Sequence, residues 1–227
     1  MTDTPDAASG DDTLLHARWR EHSSAWIAAV RERRIASRVA ATDQALVDAI
    51  LDYRPASLLD LGCGEGWLAR RLSPLGIRVT GVDAAPELIA AARAAGGGEF
   101  HVAGYDALPP GLGTFAMAVS NFALLGEQPV ERLCAALPRC AAGGHFIVQT
   151  LHPVLACGDQ PYRDGWRRDS WAAFSPGVAE PPPWYFRTLE SWVRLFGQHG
   201  LRLLELREPR SPATGLPVSA LFIAQVP

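Results

Sequence analysis

Ser57-Leu-Leu-Asp60-Leu-Gly62-Cys63-Gly64-Glu65-Gly66-Trp67-Leu-Ala69 is the stretch that decides the fold. An apolar run ends in an acid, passes through glycines at three alternating positions and enters a helical pattern at once. Glycine is needed where the chain turns sharply or lets a ligand approach without a Cβ, and a helix start offers unpaired N–H groups. The spacing therefore predicts strand, turn and helix, with a small ligand held against main-chain atoms of Gly62, Cys63, Gly64 and Gly66. Asp60, at the end of the strand, is placed to accept from a ligand ammonium, directly or through water. A dinucleotide fingerprint, G-x-G-x-x-G, would need glycine where this chain has Trp67, so the pyrophosphate reading loses its third glycine. The next apolar run, Arg78-Val-Thr-Gly-Val-Asp83, also ends in an acid, the position from which a carboxylate takes both hydroxyls of a ribose. Asp83 thus predicts a nucleoside ligand without choosing between glycine-loop folds.

Working outward, apolar runs at Ser57–Leu61, Arg78–Val82, Phe100–Ala103, Phe115–Ser120 and His145–Thr150 alternate with helical patterns at Trp67–Leu72, Pro86–Ala95 and Pro129–Ala141. That alternation predicts parallel βαβ units in an α/β domain, its sheet covered by helices on both faces. Upstream, the polar, acidic residues 1–12 read as a disordered tail, and residues 13–54 as a cap of two or three helices. Trp26, Val30, Arg34 and Arg38 follow at i, i+4 steps, which predicts one shared helix face. The main domain spans residues 55–227, with an insertion at about 152–186 that is rich in proline, glycine and aromatics. Thr188–His199 reads as a helix ended by Gly200. Leu201–Leu206 and Val218–Val226 are joined by a loop too short for a crossover helix, so they are expected to pair antiparallel at a sheet edge.

Composition narrows the chemistry. The 21 basic residues among 227 are all arginine, which excludes a Schiff-base lysine, a Walker A lysine and a kinase β3 lysine. The four cysteines have no zinc or disulfide spacing, so no metal is expected and a reducing compartment is. The acidic start is unlike a signal peptide and no apolar run approaches ~18 residues, which predicts a soluble cytoplasmic protein with no membrane partner. A net charge of −3 argues against broad capture of nucleic acid.

Taken together, LLDLGCGEGWLARRL, VTGVDAAPELIAAAR, HVAGYDALP, FAMAVSNFALL and GGHFIVQTLHP, in order over about residues 57–153, resemble the successive motifs of class I S-adenosylmethionine-dependent methyltransferases of the small-molecule, type 11/12-like kind. The resemblance implies a seven-stranded Rossmann-like sheet of order 3-2-1-4-5-7-6 with strand 7 antiparallel. It implies S-adenosylmethionine as cofactor and S-adenosylhomocysteine as product. Gly62, Gly64 and Gly66 would line the methionine and ribose, Asp83 would hold the ribose hydroxyls and Ala84 would lie beside the adenine. Asp106 would accept from the adenine amino group with the Ala107 N–H nearby, and Asn121 and Phe122 would flank the sulfonium. An N-terminal helix carrying Trp26 would close over the cofactor, with Arg34 or Arg38 on the methionine carboxylate. Two departures stand out: Ala116 follows Phe115 where the family usually has an acid, and Ser120-Asn-Phe-Ala123 replaces the signature of exocyclic-amine methylation.

Leu151-His152-Pro153, Trp184-Tyr-Phe-Arg-Thr-Leu189 and Glu208-Pro209 resemble small-molecule methyltransferases whose insertion folds over the substrate. His152, at the end of the fifth strand, is the candidate base for a hydroxyl acceptor; the alternative is a histidine that anchors the insertion. Tyr185 and Arg187 are the candidates for facing substrate. The aromatic residues of 162–186, Trp171 and Phe174 included, form either a flat apolar substrate site or the insertion's own core. The expected activity is in-line methyl transfer to a small molecule. The alternatives are an NAD-dependent oxidoreductase, a non-catalytic S-adenosylmethionine-binding protein and an RNA methyltransferase. The acceptor atom and the oligomeric state are left open.

Overall fold

A computed structural model describes residues 7–168 and 182–227, with side chains from residue 10 onward. The apolar runs that begin at Ser57, Arg78 and Phe115 are each followed by a helix that must find a sheet face, and the first five runs pair in parallel. The strands are β1 (Ser57–Leu61), β2 (Arg78–Asp83), β3 (Glu99–Val102), β4 (Met117–Asn121), β5 (His145–Leu151), β6 (Gly165–Arg167), β7 (Trp184–Phe186), β8 (Arg202–Arg207) and β9 (Ser219–Gln225). Seven of them form one sheet in the order β3-β2-β1-β4-β5-β9-β8, while β6 and β7 pair separately. β9 runs antiparallel to β5 and β8 antiparallel to β9, so the expected order holds and the last two strands are simply renumbered by the small hairpin before them.

Alternate residues along the strands feed two cores. Leu59, Ala118, Phe146 and Phe222 pack beneath α6 (Gln128–Ala141) and α8 (Leu189–Gln198), where Phe196 meets Phe222 edge-on at 5.6 Å. Leu58, Met117, Ile147 and Ile223 pack on the opposite face, beneath α3 (Asp43–Tyr53) and α4 (Trp67–Leu72). The fifth helix, α5 (Pro86–Ala95), adds Ile89 to that second core. Thr188 begins α8 by accepting from the Ser191 N–H at 3.1 Å, and Gly200 leaves it with φ +71°.

The N-terminal segment departs from the sequence expectation in two ways. Helix α1 (Ala7–Glu21) begins inside the stretch assigned to a disordered tail, because Asp12 anchors it. The buried Asp12 carboxylate accepts from the backbone N–H groups of Glu127 at 3.0 Å and Gln128 at 3.3 Å, capping the start of α6. The shared face of Trp26, Val30, Arg34 and Arg38 is also broken. Helix α2 (Ser23–Arg31) stops, Arg33 takes φ +57°, and the chain resumes as a wide π turn, Arg38–Thr42, that runs into α3.

In the insertion, α7 (Pro153–Ala156) precedes the β6–β7 hairpin. Trp184 and Phe186 are buried with Leu15, Leu125, Leu151 and Cys157, so these rings form a small core joining α1 to the hairpin. Trp171 and Phe174 lie outside the described residues. Among the described residues no helix is long and apolar enough to cross a membrane.

Candidate functional site

The glycine loop lies across the end of β2. Gly62 and Cys63 both donate their N–H to the Val82 carbonyl, at 2.9 and 3.0 Å. Gly62 has φ +79°, and a Cβ there would sit 2.3 Å from the Ala123 Cβ. A Cβ on Gly66 would meet the Phe100 ring at 2.9 Å. These two glycines are therefore fixed by packing, whereas Gly64 faces the Trp26 indole and opens onto a cleft. Asp83 holds the loop: Oδ2 accepts from the Gly64 N–H and Oδ1 from the Ala85 N–H, both at 2.9 Å. Burial pushes its carboxyl up and those two N–H groups pull it back. Each oxygen keeps acceptor capacity beyond these bonds.

A cleft open to solvent lies above the loop. Its floor is Gly62–Glu65, Asp83–Ala85 and Asn121–Ala123, and its roof is Leu15, His16 and Trp19 of α1, Trp26 and Val30 of α2, and Arg38. Trp19 and Trp26 meet edge to face at 5.2 Å. The N-terminal helices thus close over the glycine loop.

One end of the cleft carries charge that the protein itself leaves incompletely matched. Arg38 is 6% exposed, donates from Nε to Asp43 at 2.8 Å and stacks on Trp67 at 4.7 Å, yet its Nη2 is buried without a partner. Trp67, where a dinucleotide loop would have glycine, is the platform for that guanidinium. Asp60 lies outside the cleft lining, buried with Oδ2 unpartnered. Burial, then the charge of Asp83, push its carboxyl up to about 7, while Arg38 pulls it down. Buried groups left in this state cost free energy unless something pairs with them. A ligand bearing both a carboxylate and an ammonium would pair with both, so the residues present fit an amino-acid-bearing nucleoside. At the end of β4, the Asn121 Oδ1 is likewise buried and unpartnered. Phe122 is held at φ +53° by its N–H bond to the Gln149 carbonyl at 2.7 Å, a conformation that disfavours any residue but glycine.

The remaining candidates fall outside the lining. Asp106 accepts from Arg132 Nε and Nη2 at 3.1 and 2.7 Å, and the Ala107 N–H closes a turn on the Gly104 carbonyl; Tyr105, between Gly104 and Asp106, does line the cleft. Arg34 is exposed and paired with Glu32, because the turn at Arg33 takes it off the face of Trp26. His152 is buried with Nε2 2.8 Å from Glu208, which brings together two fragments far apart in sequence. The backbone N–H of Tyr185 donates to the Leu125 carbonyl at 2.7 Å; burial and a hydrogen bond to Glu127 push its hydroxyl to about 12. Arg187, expected to face substrate, is instead buried, donating to the Gly126 and Glu127 carbonyls at 2.8 Å each. The residues that sequence reasoning missed are Leu15, His16 and Trp19. The i, i+4 pair Leu15 and Trp19 was the available signal, hidden beside a polar segment.

Residues 58–143 match the methyltransferase domain family. The chain is 49% identical over 47 residues to the ubiquinone biosynthesis O-methyltransferase of Xanthomonas oryzae pv. oryzae; the match covers 21% of this chain and only 20% of that relative. An S-adenosylmethionine-dependent methyltransferase structure from Mesorhizobium loti superposes with TM-score 0.62 at 25% identity, covering 78% of this chain and 96% of that one. The Burkholderia thailandensis 1,6-didemethyltoxoflavin-N1-methyltransferase, solved with 1,6-didemethyltoxoflavin and S-adenosylhomocysteine, superposes with TM-score 0.69 over 100% of this chain and 93% of its own. At 19% identity that last likeness is one of fold.

Proposed function

We propose that this chain is an S-adenosylmethionine-dependent methyltransferase acting on a small-molecule acceptor. The observation that carries the reading is that one roofed cleft is lined by both the incompletely matched Arg38 and Asp83 at the end of β2, with the unpartnered, buried Asp60 near enough for Arg38 to act on its charge. Arg38 Nη2 would take the methionine carboxylate, Asp60 the ammonium, and the spare acceptor capacity of Asp83 the ribose hydroxyls. Ala84 would lie against the adenine, while the main chain of Gly62 and Gly64 gives close approach. The Asn121 carbonyl oxygen and the Phe122 ring suit a positively charged sulfur better than any cation would. The bound cofactor supplies a methyl group already activated by that positive sulfur. What this chain contributes is orientation and exclusion of water, the former able to supply ~7–11 kcal/mol.

A roof of Leu15, Trp19 and Trp26 favours an apolar or flat acceptor that fits beneath two helices. The relative from Xanthomonas oryzae pv. oryzae is named an O-methyltransferase of ubiquinone biosynthesis, and the Burkholderia thailandensis structure holds 1,6-didemethyltoxoflavin; both support a small acceptor. His152 lies outside the cleft lining, buried with Nε2 taken by Glu208, which favours a histidine that anchors the insertion over a base for the acceptor. Tyr185 lies outside the cleft lining with its hydroxyl held by Glu127, so no proton step is assigned to it.

Calorimetry with S-adenosylhomocysteine and with NADH, followed by methyl-labelled cofactor offered with a metabolite extract or with RNA, tests this reading. Binding of S-adenosylhomocysteine and label in small molecules is expected. Tight NADH binding without S-adenosylhomocysteine, label confined to RNA, or no transfer across a broad panel would each overturn it.

A further inference from the structure

Glu65 stands between two glycines of the cofactor loop, yet its side chain has no solvent exposure. Two arginines hold it. Arg70, on α4, donates from Nη2 to both carboxylate oxygens at 2.6 Å and from Nη1 to the Glu65 carbonyl at 2.7 Å. Arg31, the last residue of α2, donates from Nε to Oε2 at 2.9 Å and from Nη2 to the Ala91 carbonyl of α5 at 3.1 Å. One carboxylate therefore ties the roof helix α2 to the loop beneath it.

The two halves of this triad differ. Arg70 sits five residues from Glu65 on the helix that the loop itself starts, so it belongs to the loop's own fold. Arg31 arrives from 34 residues away and its side chain is 44% exposed. Releasing Arg31 leaves Glu65 still paired with Arg70, so opening strands no buried charge, which is the event that makes breaking a buried pair costly. The same helix carries Trp26 and Val30 into the cleft. Beyond its end, Arg33 at φ +57° gives the chain a turn about which α2 can lift.

We infer that the Arg31–Glu65 pair is the releasable latch of the cleft roof, a positioning pair that sets how long cofactor stays bound. This rests on the cofactor assignment above. Because Arg31 is partly exposed, the latch is weakened by salt. Its loss accelerates ligand release and leaves the sheet untouched.

The test compares the full chain with Arg31→Met and Arg31→Lys, measuring S-adenosylhomocysteine dissociation by stopped flow at several salt concentrations, thermal midpoints, and hydrogen exchange of α2 amides without ligand. Arg31→Met is expected to release the ligand about tenfold faster, the order of one lost charge-assisted hydrogen bond. Its release rate should lose the salt dependence of the parent, and Arg31→Lys should recover part of the effect. Exchange over α2 should rise while that of α4 stays the same. Unchanged release and unchanged α2 exchange would overturn the latch. If the parent chain binds no S-adenosylhomocysteine, the cofactor assignment fails on its own, and the ligand-free exchange experiment still decides the latch. Glu65→Gln should show the same faster α2 exchange; normal exchange in a folded Glu65→Gln protein counts against the pair.

Discussion

The floor and the roof of the cleft are built on different terms. The floor is main chain: Gly62 and Gly66 packed so closely that neither has room for a Cβ, and N–H groups of the loop and of Ala85 aimed at the fixed carboxylate of Asp83 at the end of β2. The roof is side chains on two helices, joined to the floor by Asp12 on the start of α6, by the Arg31–Glu65 pair and by a small apolar core around Leu15. The floor inherits the rigidity of a seven-stranded sheet, while the roof has only as much stability as those few contacts give it. Recognition that must not vary is therefore placed below, and access and retention are governed from above.

If that division is right, damage to the floor has the largest effect. Asp83→Ala removes the ribose partner and also orphans the Gly64 and Ala85 N–H groups, so S-adenosylhomocysteine affinity should fall by at least about 100-fold, corresponding to ~2.7 kcal/mol for charged hydrogen bonds. Retention of tight binding by calorimetry would contradict the ribose assignment. Gly62→Ala tests the packing of the floor without removing a polar group. The new Cβ would clash with Ala123, so a cost of roughly 1–3 kcal/mol and a thermal midpoint lower by several degrees are expected. Ala123→Gly in the same chain should restore the packing share of that loss; failure to restore any of it would mean that the positive φ alone is responsible.

The roof should respond more mildly and more selectively. Arg38→Met keeps much of the stacking volume on Trp67 but removes the unpartnered Nη2, and should weaken S-adenosylhomocysteine about tenfold, or ~1.4 kcal/mol. Arg34→Met should change affinity by less than about 0.5 kcal/mol, as expected for an exposed ion pair with Glu32. Equal effects of the two substitutions would remove the distinction between a cleft arginine and a surface one.

The same division explains what the sequence disclosed. A sharp turn beside a strand end leaves no freedom of residue type, so Gly62, Gly64 and Gly66, with Asp60 and Asp83, are legible as a pattern at fixed spacing. The strand order was implied by the resemblance of the motifs taken in order; the connections alone disclosed the parallel units bridged by helices and the antiparallel β8–β9 pair, whereas β3 and β4 are joined by a loop without a helix. Roof residues obey no such rule. Arg38 reaches the cleft only because the chain turns at Arg33 and widens into a π turn, and no i, i+4 count anticipates that. Asp12 looked like part of an acidic tail because its partners, the Glu127 and Gln128 N–H groups, lie more than a hundred residues away. Arg187 read as a substrate contact because its neighbours are aromatic, whereas the Gly126 and Glu127 carbonyls that claim it are invisible to any local pattern.

A last expected effect, read as a pH dependence, lies where Arg38 of the roof acts electrostatically on the buried Asp60. Without ligand, burial raises the Asp60 carboxyl from 3.8 to about 7, so the folded chain binds this proton more tightly than the unfolded one does. A raised folded value means that the contribution is fully present below the unfolded value and is lost as pH rises through the folded one. Ligand-free stability should thus decline between pH ~4 and ~7 by a few kcal/mol at most, and the decline should be shallower in Asp60→Asn. Asp12, Asp43 and Asp83 are raised by burial as well, so the difference between parent and variant is the quantity to read. S-adenosylhomocysteine brings an ammonium that favours the ionised acid, so its affinity should rise across the same interval in the parent and stay flatter in Asp60→Asn. Arg38 holds the Asp60 carboxyl down, so Arg38→Met should move the whole interval to higher pH. If the interval stays where it is in Arg38→Met, the roof cation does not act on the floor acid, and the two halves of the cleft bind the amino-acid end of the ligand independently.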